Sequence, residues 1–307
     1  MSSISVAGQK RRRMSPQALR DIRDGYICIL PWIIGFLAFT AGPIVFSLWV
    51  SFNEYDVLSP PEFTGIDNYI NMVNDELFWQ ALKVTTIYVL GAVPIGVVAG
   101  YALALLLNQK VAGLSVWRTA FYMPAVVPGL ATAYLFAWMF NSDIGLINGA
   151  LRVIGIQGPQ WFGSREWVLP AFMLMHIWAA GGGLILYLAA LQGVPTTLYD
   201  AAVVDGANAW HKFWNVTLPM TSPVVFFVFL TGMIASFQVF TAGYIVTGGG
   251  PANASLFYVL YLYRSGWQHF EMGYAASLAW VLFLIIMLLT LLSLRASQRM
   301  VYYEFAN

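Results

Sequence analysis

Two carboxylates, Asp200 and Asp205, flank a run of small residues in the stretch YDAAVVDGANAWHKFWNVTLP, residues 199–219, between two long apolar runs. A loop joining membrane spans needs small residues only where something must approach its backbone closely. Such a loop is a place where a partner could deliver energy to the protein. Pro195 ends the preceding register, and Thr197 with Asp200 fits the capping box [ST]-x-x-[DE]. That pattern predicts a short helix with Asp200 in its first turn, where a carboxylate is favourable against the helix dipole. Ala201 and Ala202 give the helix a smooth face, and Gly206 permits a positive φ or close contact with another backbone. A second helical stretch is expected over about 207–216, limited by Pro219. Two readings stand level on these residues: a re-entrant linker, or a docking element inserted into a soluble partner.

The rest of the chain is poor in reactive groups. There is no G-x-x-x-x-G-K-[ST] phosphate loop, so the chain does not itself bind ATP that way. No His/Cys/Glu cluster has metal-ligand spacing, and no paired carboxylates fall inside an apolar run. His176 is the one ionisable side chain well inside such a run, apart from the Cys28 thiol and the tyrosines. Ion- and proton-coupled carriers place Asp, Glu, Lys or His along their pathway, so an ion-coupled mechanism and an intramembrane hydrolase are both disfavoured. A lone His in a span is more often a packed residue than a relay. A nearly neutral interior suits a neutral substrate.

Such residues need elements to position them. Only 9% of the residues are charged and 59% are hydrophobic, where soluble domains carry about 25% charge. Uncharged windows lie at 25–53, 84–109, 119–142, 167–199, 213–263 and 272–294, and a helix needs about 20 apolar residues to cross the hydrocarbon core. The 213–263 window is broken by Thr241, Gly243 and the run Thr247 to Pro251, so it reads as one helix at 222–241 and an external loop. Six spans result, in an all-α membrane protein. The Arg11-Arg12-Arg13 run resembles the charged region of a signal peptide, but the apolar run after it is too long for one and is read as a retained span. Cys28 is the only cysteine and excludes an internal disulfide.

Lys and Arg accumulate on the cytoplasmic side. With both termini inside, inner segments hold eleven of them (Lys10, Arg11, Arg12, Arg13, Arg20, Arg23, Lys110, Arg118, Lys212, Arg295, Arg299) and outer segments four (Lys83, Arg152, Arg165, Arg264). Residues 199–219 then face the cytoplasm, and topology accounts for the basic N-terminus without nucleic acid. In the first external loop, 54–83, the part from Tyr69 to Leu82 reads as a short amphipathic helix. Pro124 and Pro128 are expected to kink the third span. The fourth span, about 168–190, carries His176 and Gly181-Gly182-Gly183. The sixth runs from about 274 to 294.

At residues 199–219 the sequence resembles the membrane permease subunits of bacterial ABC importers. The family signature E-A-A-x-x-D-G-A, then Phe and Leu-Pro, is matched by Asp200-Ala201-Ala202, Asp205-Gly206-Ala207, Phe213 and Leu218-Pro219. Asp200 departs from the usual Glu, keeping the charge with a shorter reach. Phe63-Thr-Gly-Ile-Asp-Asn-Tyr69, Phe78-Trp79, Asn148, Thr247-Gly-Gly-Gly-Pro251 and Tyr261-Leu-Tyr263 narrow the likeness to maltose-type and glycerol-phosphate-type carbohydrate permeases, the first of the pair. The resemblance covers about residues 27–303. It implies a cytoplasmic N-terminal segment 1–26, a six-span permease domain 27–294 with a coupling-helix loop at 195–219 between spans four and five, and a cytoplasmic tail 295–307.

It further implies a second homologous permease, two ATPase subunits that bind ATP and Mg and grip the coupling loop, and an extracytoplasmic sugar-binding protein, with no cofactor on this chain. Matching the sugar contacts of the maltose relative by motif distance points to Met175, Ala179 and Gly182 on the fourth span and to Gly232, Ala235, Ser236 and Val239 on the fifth. His176, Trp178, Gln238 and Tyr244 are neighbours with chemistry suited to a sugar. For the glycine triplet, close helix packing competes with that role. Import of glycerol phosphate or another polyol is the rival within transport, and a stand-alone ion-coupled carrier the rival outside it.

Overall fold

The computed structural model describes residues 16–109 and 112–300. Lys10, the Arg11–Arg13 run, Lys110 and the tail beyond residue 300 lie outside them. The chain divides into two compact units, one through Val50 and one from Ser51 onward. The first holds α1 (Pro16–Phe36) and α2 (Gly42–Val50), joined by a π-helical turn at Leu37–Ala41. Together they give a stretch, Ile22–Val50, long and apolar enough to cross a membrane. Trp32 stacks on Phe36 one turn later, with ring centroids 5.5 Å apart.

In the second unit a two-residue hairpin comes first, β1 (Asn53–Glu54) antiparallel to β2 (Glu62–Phe63). After it come α3 (Asp67–Asn74) and α4 (Glu76–Leu107). The expected helix from Tyr69 to Leu82 is thus split in two. Asp75 adopts an extended backbone, and its Oδ1 accepts the Leu77 N–H at 2.8 Å. Ser, Asp and Asn cap helices in this way, so the long span starts at Glu76 and takes in Phe78 and Trp79. At about 1.5 Å per residue α4 is about 48 Å long, well beyond the hydrocarbon core. It is the axis of the unit. Ala92, Gly96, Gly100 and Ala104 are buried at four-residue spacing along it, a stripe that lets other backbones approach.

The third span is bent far more than a kink: α5 (Leu114–Val126) and α6 (Gly129–Met139) meet at 97°. Proline drives its predecessor out of the helical region. Val127 accordingly lies at φ −69°, ψ 129° and Pro128 itself at φ −55°, ψ 136°. Beyond it, α7 (Leu146–Val153) and the loop that follows it close around Asn148, which is 3% exposed. Its amide donates to the Ser142 and Pro159 carbonyls at 3.1 and 3.0 Å and its oxygen accepts the Trp161 indole N–H at 2.7 Å.

The fourth span runs Val168–Gly193 as α8 (Val168–Trp178), a 3₁₀ turn at Ala179–Gly183 and α9 (Leu184–Gly193). The fifth begins earlier than expected. After α10 (Thr196–Val204), a continuous helical run Ala209–Phe237 comprises α11 (Ala209–Lys212), a π turn at Phe213–Thr217 and α12 (Leu218–Phe237). Pro219 does not stop it. A proline ring collides with the carbonyl four residues back in a regular helix, and the wider π turn lies where that carbonyl would sit. Then α13 (Tyr258–Tyr263) leads through another π turn to α14 (Met272–Met300). Among the described residues, five helices are long and apolar enough to cross a membrane, six if the bent pair counts as one span.

Candidate functional site

The segment 195–219 stands largely exposed. Its first helix, α10, is preceded by Pro195 and has no side-chain cap. The capping box expected from Thr197 and Asp200 does not form. Pro195 takes the N-cap position instead, so the helix begins two residues early, with Thr197 inside it and Asp200 beyond the first turn. Its end is closed by the chain. Gly206 sits at φ +76°, its N–H bonds to the Val203 carbonyl at 3.0 Å, and the Ala207 N–H reaches back to Ala202 at 2.8 Å. This is the Schellman arrangement, with glycine at the left-handed position. Asn208, a cap the sequence reading missed, starts α11 by accepting the His211 N–H at 2.9 Å.

Asp200, Ala201, Asp205 and Gly206 are exposed and Ala202 and Ala207 half-buried. Val204 and Trp210 are 87% and 66% exposed, so the segment ends in apolar residues turned to the outside. Phe213 and Leu218 face inward instead, against the buried cluster of Tyr101, Leu107, Leu184, Tyr187 and Leu191. Phe213 lies 6.4 Å from Tyr101 between ring centroids. One end of the segment is thus free while the other is anchored in the bundle.

A cavity of about 380 Å³ lies among α4, α8 and the breaks in the neighbouring helices. Of the residues that motif distance pointed to, Met175, Ala179 and Val239 line it, and so does their neighbour His176. Tyr88, Thr132, Phe240 and Thr241 line it too and were not singled out. Trp178, Gly182, Gly232, Ala235, Ser236, Gln238 and Tyr244 do not. Trp178 packs edge-on against Phe136, centroids 6.0 Å apart, and Tyr244 stacks on Phe240 at 5.4 Å. Ser236 is buried inside α12, and Gln238 is the exposed C-cap of that helix. His176 is held edge-on to Tyr88, centroids 6.2 Å apart, and lies over Gly96, where a Cβ would come 2.8 Å from Nε2.

The glycine triplet divides. At Gly181 a Cβ would stand 2.0 Å from the Phe121 carbonyl oxygen, while at Gly182 the nearest atom is Ala125 Cβ at 3.7 Å. Close packing therefore requires the first and not the second.

Among the described residues, no Asp, Glu, Lys or Arg lines this cavity. Much of its wall is interrupted helix: Pro124 to Gly129 at the 97° bend, Ala179 at the 3₁₀ turn, and Val239 to Ala242 after α12. Backbone outside a regular ladder is tolerated at membrane depth only where it is buried in protein or lines a wet cavity. A larger pocket, about 530 Å³, lies beside the hairpin and the start of α4, lined by Glu54, Asp56, Asp67, Asp75 and Glu271 among others. Burial works against the charge of Asp75, yet hydroxyls of Tyr261 and of Tyr274 (2.7 Å) and the Leu77 N–H outweigh it, holding the carboxyl below the usual range. Burial first, then Asp75, pushes Tyr261 up to about 12. The carboxylate ties the start of α4 to α13 and α14.

Residues 92–302 match the family described as binding-protein-dependent transport system inner membrane component. The chain is 37% identical over 302 residues to the probable ABC transporter permease protein YesP of Bacillus subtilis (strain 168), covering 97% of each. It is 32% identical over 239 residues to the trehalose/maltose transport system permease protein MalF of Thermococcus litoralis, covering 77% of this chain and 81% of that one. Among solved structures, a chain of a bacterial alginate ABC transporter, crystallised with an alginate pentasaccharide-bound periplasmic protein, aligns with a TM-score of 0.81 at 23% identity. The alignment covers 92% of this chain and 97% of that chain, a likeness of fold.

Proposed function

Because the chain belongs to the family of binding-protein-dependent transport system inner membrane components, we propose that it imports a neutral sugar as one of two paired permeases, driven at residues 195–219. It is a multi-pass inner membrane protein and a permease rather than a catalytic enzyme. In this reading both termini are cytoplasmic and α10 to α11 form a coupling helix between the fourth and fifth spans. Two ATPase subunits, which bind the ATP and Mg, grip that segment. Asp200 meets a basic residue of the ATPase, while Ala201, Ala202 and the turn at Gly206 admit close insertion. Closure of the ATPase pair swings the segment, and an extracytoplasmic binding protein delivers the sugar to the opened pathway.

The observation that carries this reading is the contrast within one segment: an exposed, small-residue helix closed by a left-handed glycine, continuous with Phe213 and Leu218 in the core. A linker without load needs neither the closed turn nor the anchor. The sugar assignment rests on relatives named for trehalose/maltose and lactose transport and on the uncharged cavity beside His176, Tyr88 and Thr241. An aromatic face stacks on the C–H side of a sugar, and His, Thr and freed main-chain groups hydrogen-bond its hydroxyls. The lack of lysine and arginine in that wall disfavours glycerol phosphate.

Mass spectrometry of the tagged protein, purified in mild detergent from its native membrane, tests the assembly. The expected result is co-purification of a second permease and an ATPase, with the ATPase lost on Gly206→Asp while membrane insertion persists. Recovery alone or as a homodimer, under conditions that keep a known ABC complex intact, would favour the stand-alone carrier.

A further inference from the structure

Four hydroxyl-bearing side chains form a line from the exposed segment into the bundle. The Tyr199 hydroxyl of α10 lies 3.0 Å from Thr217 Oγ1, on the last residue of the π turn. The Thr217 main-chain oxygen accepts the Thr221 hydroxyl at 2.8 Å, and Thr221 Oγ1 lies 2.7 Å from the Tyr101 hydroxyl of α4. A hydroxyl has one proton to give. Thr221 spends its proton on the Thr217 carbonyl, so Tyr101 must be the donor in the last bond. Thr221 is fully buried and Tyr101 7% exposed, so neither can exchange its partner for bulk water. Beside them Tyr187, 1% exposed and 5.5 Å from Tyr101 between centroids, has a hydroxyl with no protein partner.

We propose that the Tyr199–Thr217–Thr221–Tyr101 hydroxyl chain is a transmission element, locking the motion of α10 to α4 and α12 so that movement of the exposed segment reaches the cavity. The proposal rests on the reading of residues 195–219 as the coupling segment and goes beyond it by naming the positioning residues behind that segment. Apolar contacts alone allow helices to slide. Directional hydroxyl bonds resist that sliding, most strongly at the buried Thr221–Tyr101 pair, where bulk water cannot replace the partner. Thr217, at the end of the π turn, meets α10 through its hydroxyl and accepts the Thr221 hydroxyl at its carbonyl one helical turn on. π turns of this kind interrupt helices frequently at functional sites. From Tyr101, α4 continues past Pro94 to Tyr88 on the cavity wall, about 20 Å along the helix axis. From Thr221, α12 runs to Phe237, just ahead of Val239 and Thr241 on the cavity wall.

The test uses the whole importer, with partner permease and ATPases, and reads only this chain. In a Cys28→Ser background, Thr241→Cys places one thiol on the exposed cavity wall. Its labelling by a membrane-impermeant maleimide is measured with and without Mg-ATP and vanadate, alongside the ATPase activity of the same preparation. Thr221→Val and Tyr101→Phe are expected to reduce the nucleotide-driven change in labelling to less than half while ATP hydrolysis continues, and Thr221→Ser to restore it. An unreduced labelling change in Thr221→Val and Tyr101→Phe would overturn the proposal. So would loss of the ATPase subunits from both variants, which would make the chain a folding element. Failure of the underlying reading shows differently: the parent Thr241→Cys protein would not respond to nucleotide, or Gly206→Asp would respond normally.

Discussion

Substitution at Gly206 separates backbone strain from partner contact. The residue stands at φ +76°, and a Cβ added there meets nothing within 4 Å of this chain. Any cost inside the chain therefore comes from the left-handed backbone, about 1–2 kcal/mol for an alanine and less for asparagine, which visits that region routinely. The two closing bonds, Gly206 to Val203 and Ala207 to Ala202, add about 1 kcal/mol each if the turn opens. Since α10 is mostly exposed, the loss falls on the order of this segment and not on the folded bundle. At about 1.4 kcal/mol per factor of ten, Gly206→Ala lowers the population of the docking-competent segment, and with it the affinity for the ATPase, about 5- to 30-fold. Titration of purified ATPase against the permease pair in nanodiscs measures this directly. The expected order is Gly, then Asn, then Ala, with Gly206→Val weakest because a β-branched residue is worst at positive φ. If Asn binds more weakly than Ala, side-chain volume against the partner decides the outcome and the strain argument is refuted.

Other substitutions carry separate expectations. Asp75→Asn removes a carboxylate that accepts from two tyrosines and a helix N–H and should cost about 1.5–3 kcal/mol of stability at neutral pH. Because the folded pKa is lowered, the contribution is complete above the unfolded value near about 4 and is lost as pH falls through the folded value. The Tm gap between wild type and variant should therefore close on acidification, and a gap that widens would exclude the charged form as the stabilising one. Asn148→Ala strands the Trp161 indole and two carbonyls and should lower the Tm of the purified complex by the equivalent of about 2–4 kcal/mol, with exposure of Trp161 seen in its fluorescence. Gly181→Ala must displace the Phe121 backbone and should abolish stable expression, whereas Gly182→Ala, with van der Waals room, should express and assemble as wild type; equal yields of the two would contradict the packing.

Long apolar runs bounded by charge were legible because period and length depend on residue type alone. The windows at 84–109, 167–199 and 272–294 each became part of a span. Boundaries were less so, because caps act at single residues: Asp75 moved the start of α4 forward, and Pro195 displaced the capping box expected of Thr197 and Asp200. Pro128 announced a break but not its size, which follows from two successive extended residues. Gly206 was readable as a left-handed position, whereas Gly181 and Gly182 look alike in sequence and differ only in what lies across from them. Of the candidate substrate residues, motif distance brought Met175, Ala179 and Val239 to the cavity and missed the α4 residue Tyr88, since contacts between distant segments leave no local pattern. The hydroxyl chain was invisible for the same reason, spanning residues 101 to 221.

The absence of charge from the cavity wall is compatible with a sugar path only if hydrogen-bonding capacity comes from elsewhere. A fully helical wall of the same composition would offer hydrocarbon, since every main-chain group would be bonded within its own helix. Breaking three neighbouring elements around one cavity changes that. The bend at Val127 and Pro128, the 3₁₀ turn at Ala179 and the end of α12 at Gln238 all release backbone groups from the ladder beside His176, Tyr88 and Thr241. Backbone groups cannot ionise, so they present dipoles without attracting ions, and they cannot change rotamer, so they hold fixed positions. A wall built this way can hydrogen-bond many neutral polyhydroxy compounds without binding one tightly, which leaves selection among sugars to the protein that delivers them.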